Sequence, residues 1–347
     1  MARPRICRLS AALAACCLLT GCFGSPNPDR SVPPPAPHVA NLPLPPGSTV
    51  EAAGEHPSDG SSDRGTHPSE VRGSLRPDEQ PPQARIPEIH KRGRVIVGVD
   101  QAQNLLSFRD PATGEVHGFE ADLARELAQD IFGSRDAVEF RFLDSGEAWD
   151  MLRQHQVDLV VRAMTITPDR QNIAAFSTPY LTVNTRMLVP RDLGVNTKQG
   201  VNGKTVCVGD GSTTLDRARR QLPNSPLLKV RSWTDCLVAV QQNQAQAIMA
   251  NDPILSGIAA QDPYLQMIGP PLGTEQYGVA MPKQHSDGLV RQVNSTLERT
   301  FHDGTWQRLY NRWLAPYQSG GQPPEVNYRG EQDAAAHPQS QSEEAKP

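Results

Sequence analysis

Three hundred and forty-seven residues exceed a single small module and suit two compact units, or one two-lobed unit with tails, at about 150 residues per domain. Charged residues make up 21% of the chain and the formal net charge is −4, which excludes a whole-chain field suited to nucleic acid. Thirty-two prolines against eight Phe, six Tyr and four Trp leave part of the chain unable to bury enough apolar surface to fold.

The chain starts with a basic region, Arg3, Arg5 and Arg8, followed by the apolar stretch Leu9 to Leu19, which is too short to span a bilayer as a stable anchor. It stops at Leu19-Thr20-Gly21-Cys22, which resembles the bacterial lipobox. That resemblance implies residues 1–21 as a lipoprotein signal peptide and lipidation of Cys22, with the body exported and held on the outer face of the cell membrane by acyl chains. Of the six cysteines, Cys7, Cys16 and Cys17 leave with the signal and Cys22 carries lipid. Cys207 and Cys236 remain, and two thiols outside the cytosol are expected to pair; the alternative is two free buried thiols.

From Phe23 to Ile86 there are 14 prolines and no sustained apolar periodicity, so residues 22–86 read as a lipidated, Pro-rich disordered tether. Residues 318–347 read as a disordered tail. The folded body is then about Pro87 to Tyr317.

Within it, strands and helices alternate, which favours an α/β sheet with helices on its faces. Arg94 to Val99 and Val157 to Val161 are short β-branched runs, and Phe119, Leu123, Leu127 and Ile131 mark the buried face of a helix closed by Gly133. Thr205 to Val208 reads as a strand, and Leu215, Ala218 and Leu222 give the next helix. Ser232 with Asp235 resembles a capping arrangement ahead of Trp233, Cys236, Leu237 and Val240. Trp306, Leu309, Tyr310 and Trp313 form a core stripe at helical spacing.

Dinucleotide and phosphate-loop glycines, zinc-type His and Cys pairs and a nucleophile elbow are all missing, and the nine histidines are scattered, so neither metal nor cofactor is expected. What remains is a set of polar residues at strand ends, where open α/β sheets bind ligands.

Those residues carry a resemblance. Gly118 to Leu123 with Leu127, Ala128 and Ile131, then Asp158 to Arg170, Phe176 to Tyr180, Gly203 to Val208 with Gly211 to Thr213, Ala247 to Asp252, and Tyr277 to Ala280 are similar, in order, to family 3 of the bacterial solute-binding proteins. Actinobacterial glutamine/glutamate-binding lipoproteins look closest. The resemblance implies a two-lobed, type II periplasmic-binding-protein-like α/β fold with two crossover strands and a ligand cleft. The lobes would be 87–190 with 280–317 and, between them, 191–279, with crossings near Arg186 to Asp192 and Tyr277 to Lys283.

It also implies one amino acid in the cleft. A zwitterion needs a guanidinium fork for its carboxylate and acceptors for its ammonium, because either charge buried alone is prohibitive. Arg170 takes the first role, helped by backbone N–H groups at Thr165 and at the helix starting near Thr213. The Ala163 carbonyl, the Thr165 hydroxyl and either Asn251 or Asp252 meet the ammonium; Asn251 stands where the family usually places an Asp. Asp100 favours a side-chain amide and Arg162 a carboxylate, unless the two pair with each other or Arg162 is a surface charge. Gln103 replaces an aromatic stacking residue, which makes the pocket more polar.

The expected function is a lipid-anchored, monomeric binding protein that is not an enzyme. It takes Glu, Asp, Gln or Asn and delivers it to an ABC permease in the membrane, with no nucleic-acid partner. The alternatives are a nutrient sensor that uses the same closure, and an enzyme like cyclohexadienyl dehydratase on the same fold.

Overall fold

The computed structural model describes residues 42–55, 71–144, 146–318 and 320–330, and the expected signal peptide and Cys22 lie outside them. Two sheets organise the body. The first has five strands in the order Val138–Phe142, Val95–Val99, Leu159–Val160, Ala280–Pro282, Ala174–Phe176. Val95–Val99 runs parallel to both its neighbours and is buried along its whole length, which is why its sequence is a continuous apolar run rather than an alternation. The second has six strands in the order Thr49–Glu51, Leu227–Val230, Val206–Gly209, Ala247–Asn251, Leu181–Pro190, Leu265–Tyr277. A third, small sheet is made of Ala102–Gln103, Ser107–Arg109 and Val116–His117.

The chain passes between the two large sheets twice, giving the two-lobed fold the resemblance implies. The return passage lies between Tyr277 and Ala280, within the expected stretch. The outward passage corrects the expectation. Leu181–Pro190 pairs with Leu265–Tyr277 from Leu181↔Tyr277 to Pro190↔Leu265, so it belongs wholly to the second lobe and the crossing is 177–180 rather than Arg186 to Asp192. The cause is the two-residue alternation of this segment: Leu181, Val183, Thr185 and Met187 are buried while the residues between them are not, the signature of one uninterrupted strand.

The helix Phe119–Phe132 buries Phe119, Leu123, Leu127 and Ile131 as its spacing predicts, and Gly133 closes it in the left-handed region. Its neighbour Thr305–Trp313 buries Trp306, Leu309 and Tyr310, while Trp313 is half-buried and donates its indole N–H to Asp122 at 2.8 Å.

Parts of the expected tether and tail are ordered. Thr49–Glu51 adds an antiparallel edge strand to the second lobe, and Glu51 meets Arg219 at 2.8 Å. Leu75 and Ile86 are buried. The tail joins them: Ser74 donates its backbone N–H to Asn327 O (2.8 Å) and accepts from the Arg329 N–H (3.0 Å), while Asn327 N–H reaches Thr178 Oγ1 in the outward crossing (2.9 Å). Composition misleads here because these short segments are held by backbone pairing along existing elements, which needs few apolar side chains.

Cys207 and Cys236 form a disulfide, with Cα atoms 5.5 Å apart. It joins the strand Val206–Gly209 to the helix Trp233–Gln241 inside the second lobe. It closes a loop of 29 residues, for which chain entropy gives about 3–4 kcal/mol of stability. The Cys207→Ala/Cys236→Ala protein should therefore melt at a clearly lower temperature in differential scanning calorimetry. An unchanged melting curve would show that the cross-link contributes nothing.

Candidate functional site

The loop after the strand Leu159–Val160 builds the first wall of the cleft. Ala163 sits in the left-handed region at φ 49°, a conformation that a side chain with a Cβ adopts only when held there. Glu120, from the start of the helix Phe119–Phe132, holds it: Glu120 Oε1 accepts the Ala163 N–H at 2.7 Å and the Tyr180 hydroxyl. The loop then pairs with the returning chain, Ile166 N–H to Gln276 O (2.9 Å) and Gly278 N–H to Met164 O (3.0 Å), which fixes Thr165 against Tyr277.

Glu120 is fully buried, and burial lifts its carboxyl to about 7 against the opposing hydrogen bonds from Tyr180 and Ala163. Between the ordinary value near 4.5 and about 7 the folded protein keeps a proton that the unfolded chain has lost. The associated stability is complete below that window and falls as pH rises through it, by about 3 kcal/mol in all. Glu120→Gln, which retains the acceptor oxygen, should lose this fall. Denaturant titrations of both proteins at pH 4.5 and 8 measure it, and parallel pH dependences would exclude it.

Arg170 lies on the short helix Pro168–Ile173, whose cap Thr167 accepts the Arg170 N–H at 3.2 Å. Its guanidinium donates to Thr165 O in the first lobe (3.1 Å) and to Gly211 O in the second (3.2 Å), 5.7 Å from the centre of the Trp149 ring. No carboxylate among the described residues forms an ion pair with it. Burial lowers its pKa, and the fields of Glu275 and Asp216 oppose that.

The opposite wall comes from the second lobe. Gly209 is approached so closely by the Trp233 ring that a Cβ would lie 2.7 Å from it. Gly211 turns the chain at φ 66° into the helix Thr213–Gln221, where Ser212 caps the Leu215 N–H at 3.1 Å. The Thr165 and Thr213 hydroxyls lie 3.4 Å apart across the cleft. The walls enclose a cavity of about 60 Å³.

Arg162, Ala163, Thr165, Arg170, Thr213 and Asn251 all line this one cleft, brought together from both lobes. Asp100 stands behind Arg162, bonded to it at 2.8 Å with both side chains 9% exposed, so the pairing alternative is the one observed. Asp252 is turned to Asn184, accepting its backbone N–H (2.9 Å) and side-chain amide (3.2 Å), and does not line the cleft. Gln103 does line it, as a buried amide whose Nε2 has no partner among the described residues. Several lining residues were missed in the sequence, Trp149 and Trp233 among them, as was Glu275, which accepts from the Thr165 and Thr213 hydroxyls. Trp149 and Trp233 look like ordinary helix-face aromatics, and Glu275 gives no local signal at all.

Residues 95–316 match the model of the bacterial extracellular solute-binding proteins, family 3. The chain belongs to that family. This solute-binding protein is 27% identical to the ABC transporter glutamine-binding protein GlnH of Bacillus subtilis (strain 168), over 65% of the chain and 83% of the relative. To the glutamate-binding protein GluB of Corynebacterium glutamicum it is 27% identical, over 63% and 78%. Among solved structures, the ancestral amino acid-binding protein AncCDT-1, a precursor of cyclohexadienyl dehydratase, superposes with a TM-score of 0.61 at 28% identity, over 66% of this chain and 98% of that one.

Proposed function

We propose that this solute-binding protein closes around one amino acid with an amide or carboxylate side chain, of the Gln, Glu, Asn and Asp class, and delivers it to an ABC permease. The observation that carries the reading is Arg170: a charged guanidinium between two lobes, hydrogen-bonded to two neutral carbonyls and to no carboxylate among the described residues, is a waiting site for an α-carboxylate. The relatives' ligands support the amino-acid class, and the two that bind glutamine and glutamate support the side-chain class. Gln103 Nε2 is a donor suited to a side-chain oxygen.

Trp149 and Trp233 wall the cleft, so glutamine or glutamate should change their fluorescence saturably, and Trp149→Phe/Trp233→Phe should abolish the change. A signal insensitive to all four ligands would contradict the reading.

We further infer that the protein is exported and lipidated at Cys22, working as a monomer on the outer face of the cell membrane. Cys22→Ala should then move it from the membrane fraction into the medium or the soluble envelope fraction. Retention at the wild-type level would exclude the anchor.

A further inference from the structure

The ammonium side of the cleft lacks a carboxylate at the positions the sequence nominates. Asn251 Oδ1 accepts the Thr185 hydroxyl at 3.1 Å, and both carboxylate oxygens of Asp252 are engaged by Asn184. The carboxylate that Asn251 touches is instead that of Glu275, on the long strand Leu265–Tyr277, and the Glu275 side chain is 1% exposed. Its Oε2 accepts from Thr165 Oγ1 (3.0 Å), Thr213 Oγ1 (2.8 Å) and Asn251 Nδ2 (3.1 Å), while Arg217 holds Oε1 at 3.1 Å. Both lobes thus converge on one carboxylate immediately behind the cleft surface.

We propose that Glu275 is the counter-charge of the ligand's α-ammonium, acting as a positioning residue through the Thr165 and Thr213 hydroxyls. The inference rests on the amino-acid reading of the cleft. Each hydroxyl spends its single proton on Glu275, so its lone pairs are left to accept from an ammonium on the cleft side. The buried carboxylate polarises both hydroxyls and supplies the negative charge that a desolvated ammonium requires. The same arrangement accounts for Asn251. An Asp there would set a second carboxylate against Glu275 at about the present 3.1 Å contact, where two like charges cannot both ionise, whereas the amide donates to it. Burial raises the Glu275 pKa, but the donors Asn251, Thr213 and Arg217 outweigh it and hold the carboxyl below the usual range.

The test compares two ligands on two proteins: glutamine and 5-amino-5-oxopentanoate, which is glutamine without its ammonium, with glutamate and glutarate as the second pair. The wild-type protein should prefer the amino acid strongly. In Glu275→Gln that preference should shrink at least about tenfold, and adding Asn251→Asp should restore it, because charge returns to the same corner. Melting curves confirm that the variants fold. A merely structural Glu275 would weaken both members of a pair equally, so an unchanged preference ratio overturns the proposal while leaving amino-acid binding intact. Wild-type protein that binds neither amino acid removes the underlying reading and the proposal with it.

Discussion

Arg170→Ala is expected to weaken binding of every amino acid the cleft accepts by about 3–5 kcal/mol, more than a hundredfold in Kd, with acids and amides affected alike. The α-carboxylate common to these ligands would enter a desolvated site without its bidentate partner. The Thr213 helix terminus and the Thr165 backbone would be left to compensate, and neither carries a full charge. The loss should be confined to binding. Among the described residues its guanidinium donates to two carbonyls, at 3.1 and 3.2 Å, and forms no ion pair, so the empty protein should melt near the wild-type temperature. Arg170→Lys should recover part of the affinity, since the charge returns without the fork geometry. Calorimetric titration of the three proteins with glutamate and glutamine reads this directly, and wild-type affinity in Arg170→Ala would remove the carboxylate clamp.

Arg162→Ala should behave differently because its first victim is the fold. Its guanidinium lies 2.8 Å from Asp100, both side chains are 9% exposed, and its Nε donates to Leu143 O at 3.0 Å. Removing one member of a buried pair strands the other, at a cost of about 3–5 kcal/mol in stability. Asp100→Asn added to Arg162→Ala should recover much of that loss, since no uncompensated charge then remains. Binding should shift in selectivity as well. With Arg162 gone, the Asp100 carboxylate faces the side-chain end of the cleft alone, so Glu and Asp should lose more affinity than Gln and Asn. Denaturant unfolding of the single and double variants tests the stability half. Equal affinity losses for acids and amides would refute the selectivity half.

The parts of the site that were legible in the sequence are those whose residues lie close together along the chain. Asp158 to Arg170 contains a strand, the strained turn at Ala163, the cap at Thr167 and the guanidinium, so one stretch encodes a whole wall. Gly118 to Leu123 was legible for the same reason, although what Glu120 does there was not: its contact with Ala163 spans 43 residues. Glu275 was invisible because Gly273-Thr274-Glu275-Gln276 is a plain polar run. Only pairing with Leu181–Pro190 and closure onto Thr165, Thr213 and Asn251 turn its carboxylate inward. The ambiguity between Asn251 and Asp252 had the same origin, since both depend on partners in Leu181–Pro190. The terminal segments misled in the opposite direction. Their proline-rich composition correctly denies them a core of their own, but Thr49–Glu51 and Asn327 to Arg329 need only a neighbouring backbone to pair with.

The most direct measurement is calorimetric titration of the full chain with each of the twenty amino acids at neutral pH. The account predicts one saturable site per chain, filled by members of the Gln, Glu, Asn and Asp group ahead of cationic and apolar amino acids, and abolished together for that group in Arg170→Ala. Heats that stay at the dilution baseline for all twenty, or a site that prefers a cationic or apolar side chain, would contradict it.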